Sequence, residues 1–572
     1  MNQKFHTKAR THESTKGGER LLADFADLDL HFGRFMARFG GGELVALAAA
    51  HLSRAVSRGD ICLDLKEAPA GETAWPSLDE WREALGVSRA VAAPDSDAMT
   101  PLVLDGAGRL YLRRFFIQEA ALAQALLGRA PEAVPADVAE GQEAAAELAV
   151  ASRLAVLCGG PGTGKTTTVV QILLRLTPPG SLPPRLALAA PTGKAAARLE
   201  EAVRQGLARA ERPDLLAALP RAATLHRLLG VTGGSGFRHN ARNPLSLDFL
   251  VVDEASMVPL PLMASLFDAL PASGRVLLLG DRDQLASVDP GSVLADIVDA
   301  ASRPGSPLRG ALAVLEKNFR FGNDHAIYRL AQAVREGRGA DAACLLTTPC
   351  DGLGHRATPS AAHLNEALRV AAVEGYGSVL RERDPARALD ALGRFRILCA
   401  VRQGPWGVEE INRRVAAVLC EAGLLRGEGP LFAGMPLLIT RNDPQLGLFN
   451  GDIGLLLPDP AEPVGPARSL LAWFPGDGEA AVLRRFTPAQ LPAFEPAFAM
   501  TVHKSQGSEF DRVLFILPER ESPVVTRELI YTGVTRARSH VELWTDPALF
   551  AQGVSRRIER ASGLRERLGG RA

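Results

Sequence analysis

A glycine-rich segment that ends in lysine and threonine carries the clearest chemistry in the chain. Residues 159–166 read Gly-Gly-Pro-Gly-Thr-Gly-Lys-Thr and follow the apolar run 154–157. Glycines let the backbone curl so that its N–H groups converge on a phosphate. Lys165 can then reach the β- and γ-phosphate oxygens, and Thr166 can offer its hydroxyl to Mg²⁺. Since a helical pattern follows over 167–176, the segment predicts a phosphate-binding loop for a nucleoside triphosphate.

Two further segments end apolar runs in polar side chains suited to phosphate chemistry. Asp253 and Glu254 follow the run 248–252. Asp253 can hold Mg²⁺ through water, and Glu254 can orient or deprotonate an attacking water. Alone, such a pair indicates only the end of a strand, but downstream of a phosphate loop it indicates hydrolysis. Gln284 follows the run 275–279, where its amide could sense the γ-phosphate or simply belong to a polar loop.

Hydrolysis also needs positive charge on the transferred phosphoryl group, and an arginine supplied across a cleft makes it depend on closure. Arg320, in Glu-Lys-Asn-Phe-Arg, and Arg536, in Tyr-Thr-Gly-Val-Thr-Arg, are the two candidates. On spacing alone, each is more often a surface ion pair.

Bulk properties set the class of protein. The chain has 572 residues, of which 47% are hydrophobic and 23% charged, and this predicts a globular protein of about three or four domains. No apolar run is long enough to cross a membrane, and residues 1–20 are polar without an apolar core. We therefore expect a cytoplasmic protein with a flexible tail over 1–20. The six cysteines form no C-x-x-C pair, so neither zinc nor a redox motif is indicated.

The net charge of the chain does not indicate what kind of partner it binds. The 65 basic and 65 acidic residues balance, so nucleic-acid binding would need a local groove. One basic run lies near the C-terminus, and it fits either a solvated helix end or a tail that contacts phosphates. Its members are Arg556, Arg557, Arg560, Arg565, Arg567 and Arg571.

Strand and helix patterns divide the chain into three regions. Residues 21–128 predict a compact, mostly helical domain. Residues 138–345 alternate helices with strands at 154–158, 185–190, 248–252 and 275–279. After a loop-rich stretch at 347–359, residues 346–572 alternate again, with strands at 395–401, 497–502, 513–517 and 541–544. Such alternation predicts two parallel sheets flanked by helices, an α/β fold, with a nucleotide in the cleft between them.

A β-rich insertion at about 430–495 interrupts the second α/β region. Runs at 436–440, 446–449 and 453–457 predict strands, and Asn450-Gly451 predicts a hairpin turn between the last two. The insertion is expected to form a small β-barrel-like module.

These segments, in order, resemble the motif set of superfamily 1 helicases, and within it the RecD branch, the alpha subunit of exodeoxyribonuclease V. The resemblance covers roughly residues 140 to 545, and its N-terminal part extends to 61–65 and 101–113. The motifs are 159–166, 189–196, 224–229, 251–255, 280–285, 318–320, 501–510 and 531–538, with the branch-specific segments 395–412 and 440–454.

The resemblance implies two RecA-like P-loop domains, a helical N-terminal domain that docks partners, and an SH3-like β insertion in the second RecA-like domain. It implies ATP and Mg²⁺ as cofactors, with Thr166 and Asp253 at the metal. Gln142 would read adenine, and Glu509 would lie near the ribose. The residues around the phosphates would be Gly159, Gly160, Pro161, Gly162, Thr163, Gly164, Lys165, Thr166 and Thr167.

It also assigns the motor's other residues. Gln284 would couple the γ-phosphate to the DNA track, while Arg320 and Arg536 would clamp that phosphate from the second domain's side. The single-strand path would be lined by Pro191, Thr192, Gly193, His226, Thr501, His503 and Lys504. Hydroxyls, backbone N–H groups and a few cations suffice to bind the phosphates of a DNA strand without recognising its base sequence.

The implied activity is ATP-driven 5′-to-3′ translocation on single-stranded DNA and duplex unwinding. It would serve a heterotrimer with RecB-like and RecC-like subunits in double-strand-break repair and homologous recombination, with the nuclease in another subunit. Two alternatives remain. A self-sufficient RecD-like helicase would not co-purify with partners, and an ATP-gated structural subunit would show no DNA-stimulated ATP turnover.

Overall fold

The computed structural model describes residues 25–569 except 70–71, 73, 134, 136, 233–235, 321, 323–324, 426–428, 444, 463–468 and 477–482. The expected tail at 1–20 and Arg571 lie outside the described residues. No helix in the described part of the chain is both long and apolar enough to cross a bilayer.

The N-terminal region is helical, as predicted, but it also contains a four-stranded sheet that the sequence did not indicate. Its helices are α1 Asp27–Ala37, α2 Gly42–Ser57, α3 Leu78–Gly86 and α4 Arg113–Leu127, and its strands are β1 Cys62–Asp64, β2 Val91–Ala92, β3 Leu102–Leu104 and β4 Arg109–Leu112. The strand order is β1-β4-β3-β2. Asp105 closes the β3–β4 hairpin, because its carboxylate accepts the N–H groups of Ala107 at 3.0 Å and Arg109 at 2.8 Å.

A seven-stranded parallel sheet, which we call the first sheet, follows in the order β5-β11-β6-β10-β9-β7-β8. Its strands are β5 Ala139–Glu140, β6 Leu154–Gly159, β7 Leu186–Ala190, β8 Ala223–Thr224, β9 Phe249–Val252, β10 Arg275–Gly280 and β11 Leu312–Leu315. The helices around it are α5 Gly141–Ala151, α6 Lys165–Leu176, α7 Gly193–Arg209, α8 Pro213–Ala218, α9 Leu225–Leu229, α10 Leu260–Ala269 and α11 Val293–Ser302. The four predicted strands are confirmed. β5 and β8 were missed, since two residues show no measurable periodicity, and β11 was missed as well.

A five-stranded parallel sheet, the second sheet, has the order β12-β21-β20-β13-β19. Its strands are β12 Leu353–Arg356, β13 Phe395–Cys399, β19 Ala499–Thr501, β20 Phe510–Ile516 and β21 Ala537–Trp544. Its helices are α12 Ala326–Arg335, α13 Gly339–Thr347, α14 Leu364–Arg381, α15 Pro385–Leu392, α16 Val408–Glu421, α17 Arg527–Val534 and α18 Pro547–Ser555. β12 lies inside the stretch expected to be loop-rich. α12 and α13 share their apolar core with this sheet, although both begin before residue 346.

The β insertion is an antiparallel sheet of order β17-β16-β15-β14-β18. Its strands are β14 Pro436–Ile439, β15 Ile453–Pro458, β16 Leu470–Phe474, β17 Arg484–Phe486 and β18 Phe494–Pro496. The expected strand at 446–449 is wrong: the Asp443 carboxylate accepts the N–H groups of Gln445 and Leu446, which holds that segment as a loop. β15 pairs with β14 instead, and Asn450-Gly451 forms a turn within their long connection. The SH3-like description stays a prediction.

The chain ends in a segment that we call the C-terminal strap, residues 556–569, which includes helix α19 Leu564–Leu568. The strap returns to the N-terminal region and the first sheet. Arg567 pairs with the buried Glu119 at 2.9 Å, Arg565 pairs with Asp296 at 3.3 Å, and Arg560 donates to the Ser287 carbonyl at 2.7 Å. These three arginines are therefore structural, which neither interpretation of the basic run anticipated.

Candidate nucleotide cleft and nucleic-acid path

The phosphate loop joins β6 to α6 in a conformation that requires glycine. Gly162 and Gly164 have φ angles of +82° and +84°, in the left-handed region. A Cβ placed on Gly164 would lie 2.1 Å from Gln142 Nε2, and one on Gly162 would lie 2.7 Å from Arg320 Cβ. Backbone strain therefore disfavours larger residues at these two positions, and a side chain there would also have to displace Arg320 or Gln142.

Lys165 and Gln142 meet at this loop. The Lys165 ammonium donates to the carbonyls of Gly159 at 2.5 Å and Gly160 at 3.1 Å, so its charge is held over the loop. Gln142, in the first turn of α5, donates to the Thr163 carbonyl at 3.3 Å. The structure therefore brings the residue expected to read adenine against the residues expected to hold phosphates.

The carboxylate pair follows β9, two strands from the loop in the first sheet. Burial, and next the charge of Glu254, raise the pKa of Asp253 to about 6. The Asp253 carboxylate also accepts the Glu254 N–H at 2.8 Å. Glu254 has φ +50° and ψ +40°, a left-handed conformation that costs a non-glycine residue on the order of 1–3 kcal/mol. This backbone conformation sets the direction in which the chain leaves the sheet at Glu254, and no local sequence pattern predicted it.

Gln284 and Arg536 join the two sheets. Gln284 lies in the loop after β10, and its Oε1 accepts a hydrogen bond from Arg536 Nη2 at 3.0 Å. Both side chains are buried. Arg536 also donates to the carbonyls of Thr532 at 3.1 Å and Ser508 at 3.2 Å. The carbonyl of the next residue, Leu285, accepts a hydrogen bond from Gln506 Nε2 at 2.8 Å. The contact between the two sheets therefore includes the loop after Gln284.

Arg320 approaches from the first sheet, which corrects the expectation that it acts from the second domain's side. It follows β11, and its neighbours hold it to the phosphate loop: Phe319 N–H donates to the Gly162 carbonyl at 2.8 Å. Its guanidinium reaches across to Glu509, with Nη2 2.5 Å from Oε1. Burial alone would raise the pKa of Glu509, but Arg198 and Arg320 lower it to about 2.

The residues expected to line the DNA path fall into two groups. Pro191 and His226 follow β7 and β8, whose ends are in register at Ala190 and Thr224, so both lie at one edge of the first sheet. Thr192 caps α7 by accepting the Ala195 N–H at 3.3 Å. A Cβ on Gly193 would lie 3.4 Å from Phe449 of the β insertion.

The second group lies after β19. Thr501 Oγ1 accepts the Lys504 N–H at 3.4 Å, and Lys504 Nζ pairs with Glu495 at 2.5 Å. Burial, followed by the charge of Arg560, lowers the pKa of His503. A cavity of about 500 Å³ opens beside Thr501 and Lys504. The loop that carries the second group then reaches the first group at Thr192: a Cβ on Gly507, three residues after Lys504, would lie 3.7 Å from Thr192 Oγ1.

Three residues at the cleft were not singled out from the sequence. A Cβ on Gly160 would lie 2.8 Å from the Tyr531 hydroxyl, which therefore covers the phosphate loop from the second sheet. Asp281 accepts from Gln284 Nε2 at 3.1 Å. Arg198, on α7, pairs with Glu509 at 3.0 Å. The sequence signal that could have identified these three residues is their position within or next to one of the helicase motifs.

Models of three sequence families match separate parts of the chain. The family described as AAA domain matches residues 142–290, and the UvrD-like helicase C-terminal domain matches 496–543. The N-terminal domain of RecBCD enzyme subunit RecD matches 23–111. The matches place a nucleotide-binding domain on the first sheet. Together with the cleft, they define a helicase-type P-loop protein.

Curated relatives then identify the family. The RecBCD enzyme subunit RecD of Mycobacterium tuberculosis is 40% identical over 94% of both chains, and that of Haemophilus influenzae is 35% identical over 74% of this chain and 71% of its own. The chain belongs to the RecD family of DNA helicases. The ATP-dependent RecD2 DNA helicase of Deinococcus radiodurans is 33% identical over 76% of this chain but 54% of its own length. Among solved structures, the Bacteroides Pif1 helicase in complex with ADP-AlF3 and single-stranded DNA aligns over 71% of this chain and 91% of its own, with 17% identity and a TM-score of 0.37.

Proposed function

We propose that this chain is an ATP-driven motor that moves 5′ to 3′ on single-stranded DNA and unwinds duplex DNA. It would do so as the RecD-like subunit of a heterotrimer with RecB-like and RecC-like subunits, in double-strand-break repair by homologous recombination. The observation that carries the proposal is the buried Gln284–Arg536 contact, which links the two sheets. It lies close to the phosphate loop, because Gln284 also donates to Asp281, whose carboxylate would lie 3.8 Å from a Cβ on Gly160. Its DNA substrate implies a cytoplasmic location.

ATP binding is assigned to the phosphate loop, with residues 159–167 around the phosphates. Gln142 would meet the adenine and Glu509 the ribose. Lys165 lies over the loop carbonyls, from which a phosphate would draw its ammonium away. The left-handed glycines leave the loop N–H groups available to the phosphate oxygens.

The residues present fit Mg²⁺ held by Thr166 and Asp253. Desolvation and, next, the charge of the adjacent Glu254 raise the pKa of the Asp253 carboxyl, so a bound cation would offset the free-energy cost of ionising it. Bound Mg²⁺ would neutralise charge on the phosphates. Glu254 would orient and deprotonate the attacking water from its fixed left-handed position, while Arg320 and Arg536 would bind the γ-phosphate.

Each turnover would open and close the cleft. From the second sheet's side, Glu509 binds Arg320, and Gln506 and Thr532 bind the backbone of Leu285, both partners lying in loops of the first sheet. Loss of the γ-phosphate would change what Arg320 and Arg536 bind, and the sheets would move apart. Alternate closure and opening of the cleft would move the DNA-binding residues along the strand.

The DNA track is assigned to the two groups that meet at Gly507. Thr192, Gly193 and Thr501 offer a hydroxyl, a backbone N–H and a second hydroxyl, which suffice for phosphates. The neighbouring cavity is lined by three cations, by two glutamates that pair with two of them, and by the apolar faces of two aromatic rings: Arg402, Arg413, Lys504, Glu409, Glu495, Phe432 and Phe498. In such a cavity, cationic side chains can bind the phosphates of a single strand while the aromatic rings contact its bases.

A strand-separation assay tests the direction of movement. Duplexes with only a 5′ tail should be unwound by the full chain with its partner subunits' motors inactivated, whereas duplexes with only a 3′ tail should not. Glu254→Gln serves as the hydrolysis-deficient control. Unwinding from 3′ tails alone would contradict the assigned direction.

Partner docking is assigned to the N-terminal region. Helix α1 exposes Leu28 by 71%, Phe35 by 50% and, just past its end, Phe39 by 37%, and these positions share one helix face. Leu28→Glu with Phe35→Glu should prevent co-purification with RecB-like and RecC-like subunits while ATP binding persists. Arg34→Glu, on another face of α1, is the matched control. Assembly of the double variant would exclude this face as the docking site.

A further inference from the structure

Glu509 is the point at which three arginines meet. Its Oε1 binds Arg320 Nη2 at 2.5 Å, and its Oε2 binds Arg198 Nη2 at 3.0 Å and Arg538 Nε at 3.2 Å. Arg198 and Arg320 extend from the first sheet's side, while Arg538 lies on β21 beside Glu509. A single carboxylate therefore holds an arginine assigned to the γ-phosphate and an arginine from helix α7.

Arg198 makes a second contact across the same boundary. Its Nη1 donates to the Gly507 carbonyl at 2.8 Å. Gly507 has φ +70°, and a Cβ there would lie 3.4 Å from Ala195 Cβ, so the loop passes directly over the first turn of α7. The planar guanidinium thus fixes Gly507 and Glu509 relative to α7 with one hydrogen bond and one ion pair.

Helix α7 connects this contact to the assigned DNA track. Thr192 caps the helix and Gly193 begins it, one turn and a half before Arg198. An α-helix moves as a rigid body over this distance. A displacement of Thr192 and Gly193 by a bound strand would therefore move Arg198, and with it Glu509, whose other oxygen holds Arg320.

We propose that Arg198 is a positioning residue that couples the DNA track to the nucleotide cleft through Glu509 and Arg320. The proposal rests on the function proposed above. When a strand occupies the track, α7 moves Arg198 and Glu509 together, so that Arg320 exchanges Glu509 for the γ-phosphate. When the track is empty, Glu509 retains Arg320.

The test measures the equilibrium coupling between the two ligands. The affinity for a fluorescent oligothymidylate is determined with the full chain, with and without adenosine 5′-(β,γ-imido)triphosphate. Because a bound strand releases Arg320 to the γ-phosphate, each ligand favours binding of the other. We therefore expect the analogue to lower the DNA Kd of the wild-type chain about tenfold, within the usual range of coupling between two sites. In Arg198→Ala, the ratio of the two Kd values should fall to near one. Arg198→Lys keeps the charge but loses the two-pronged contact, and should give an intermediate ratio.

Arg204→Ala is the matched control, because Arg204 lies on the same helix and pairs at 3.2 Å with Glu200 of that helix. It should keep the wild-type ratio. Thermal unfolding of every variant separates lost coupling from lost folding, and the lysine variant keeps the test informative if the alanine variant unfolds. A wild-type ratio in Arg198→Ala, or a wild-type chain that binds DNA equally with and without the analogue, would overturn the proposal. A wild-type chain that binds no DNA would instead contradict the proposed function.

Discussion

At the scale of single residues, the backbone conformation positions the groups assigned to hydrolysis, and it matters as much as the identity of their side chains. Gly162 and Gly164 curl the phosphate loop, and Glu254 leaves β9 in a left-handed conformation that few residues adopt. The glycines were predictable, because the loop motif requires them. The conformation of Glu254 was not, because no residue type near it signals strain.

Gly164→Ala should weaken ATP binding at least about tenfold, since a left-handed alanine costs roughly 1–2 kcal/mol and its Cβ would displace Gln142. Titration with a fluorescent ATP analogue measures the change. Gly180→Ala is the control, because Gly180 has φ +85° with no atom within 4 Å of its Cβ position. Equal ATP affinities in the two variants would show that the loop tolerates the side chain.

Arg536→Ala should lower the ATPase kcat by about 10³-fold, the effect typical of losing an arginine that stabilises phosphoryl transfer. Three hydrogen-bond acceptors, on Gln284, Thr532 and Ser508, hold the guanidinium in place. Steady-state ATPase assays beside nucleotide titrations separate turnover from binding. Arg512→Ala, which removes a half-exposed arginine from β20, should leave kcat unchanged. A kcat within threefold of the wild type in Arg536→Ala would refute this role.

At the scale of elements, the C-terminal strap ties the end of the second α/β region to the N-terminal region. The Ile61 N–H donates to the Ala561 carbonyl at 2.8 Å, and Arg109 binds Glu566 at 2.8 Å. Helix α19 packs into the apolar core shared by α4 and the first sheet through Leu564 and Leu568. The strap therefore fastens regions that are far apart in sequence.

Asp296, under the strap, should make stability depend on pH. Burial is the main cause that raises its pKa from 3.8 to about 7, although Arg565 opposes it. Because the folded state keeps a proton that the unfolded chain loses, wild-type stability should fall between pH 5 and pH 8, by on the order of 2–3 kcal/mol. Asp296→Asn avoids this loss, so its unfolding midpoint relative to wild type should be higher at pH 8 than at pH 5.

Asp299→Asn is the control for that comparison, since Asp299 also contacts Arg565 at 3.3 Å but is more exposed. Thermal unfolding at both pH values provides the measurement. A relative midpoint of Asp296→Asn that does not change between pH 5 and pH 8 would exclude the buried carboxyl as the cause.

The elements also show what the sequence could predict. Strands with four or five consecutive hydrophobic residues between clear helical patterns, such as β6 and β10, were predicted at the correct positions. β5 and β8 contain two residues each, so local patterns could not define them. β14 and β15 were predicted as strands, but their pairing with each other across a long loop was not predicted. Contacts such as Arg198 with Glu509 depend on how the two sheets meet, which no local pattern encodes.

At the scale of the whole molecule, two parallel sheets face each other across a cleft that contains every residue assigned to hydrolysis. The buried Gln284–Arg536 contact and the Glu509 cluster join the sheets side by side, since Arg536 also donates to the carbonyl of Ser508, next to Glu509. Such an arrangement makes turnover depend on the relative position of the sheets. DNA bound across both sheets would therefore control turnover.

The most direct test of this account is the ATPase rate of the purified chain with and without single-stranded DNA, beside Lys165→Gln. We predict strong stimulation by DNA, and its loss in the variant, because the ammonium over the phosphate loop is removed. Unfolding midpoints of both proteins serve as the folding control. A rate that DNA does not change would contradict a motor driven by this chain.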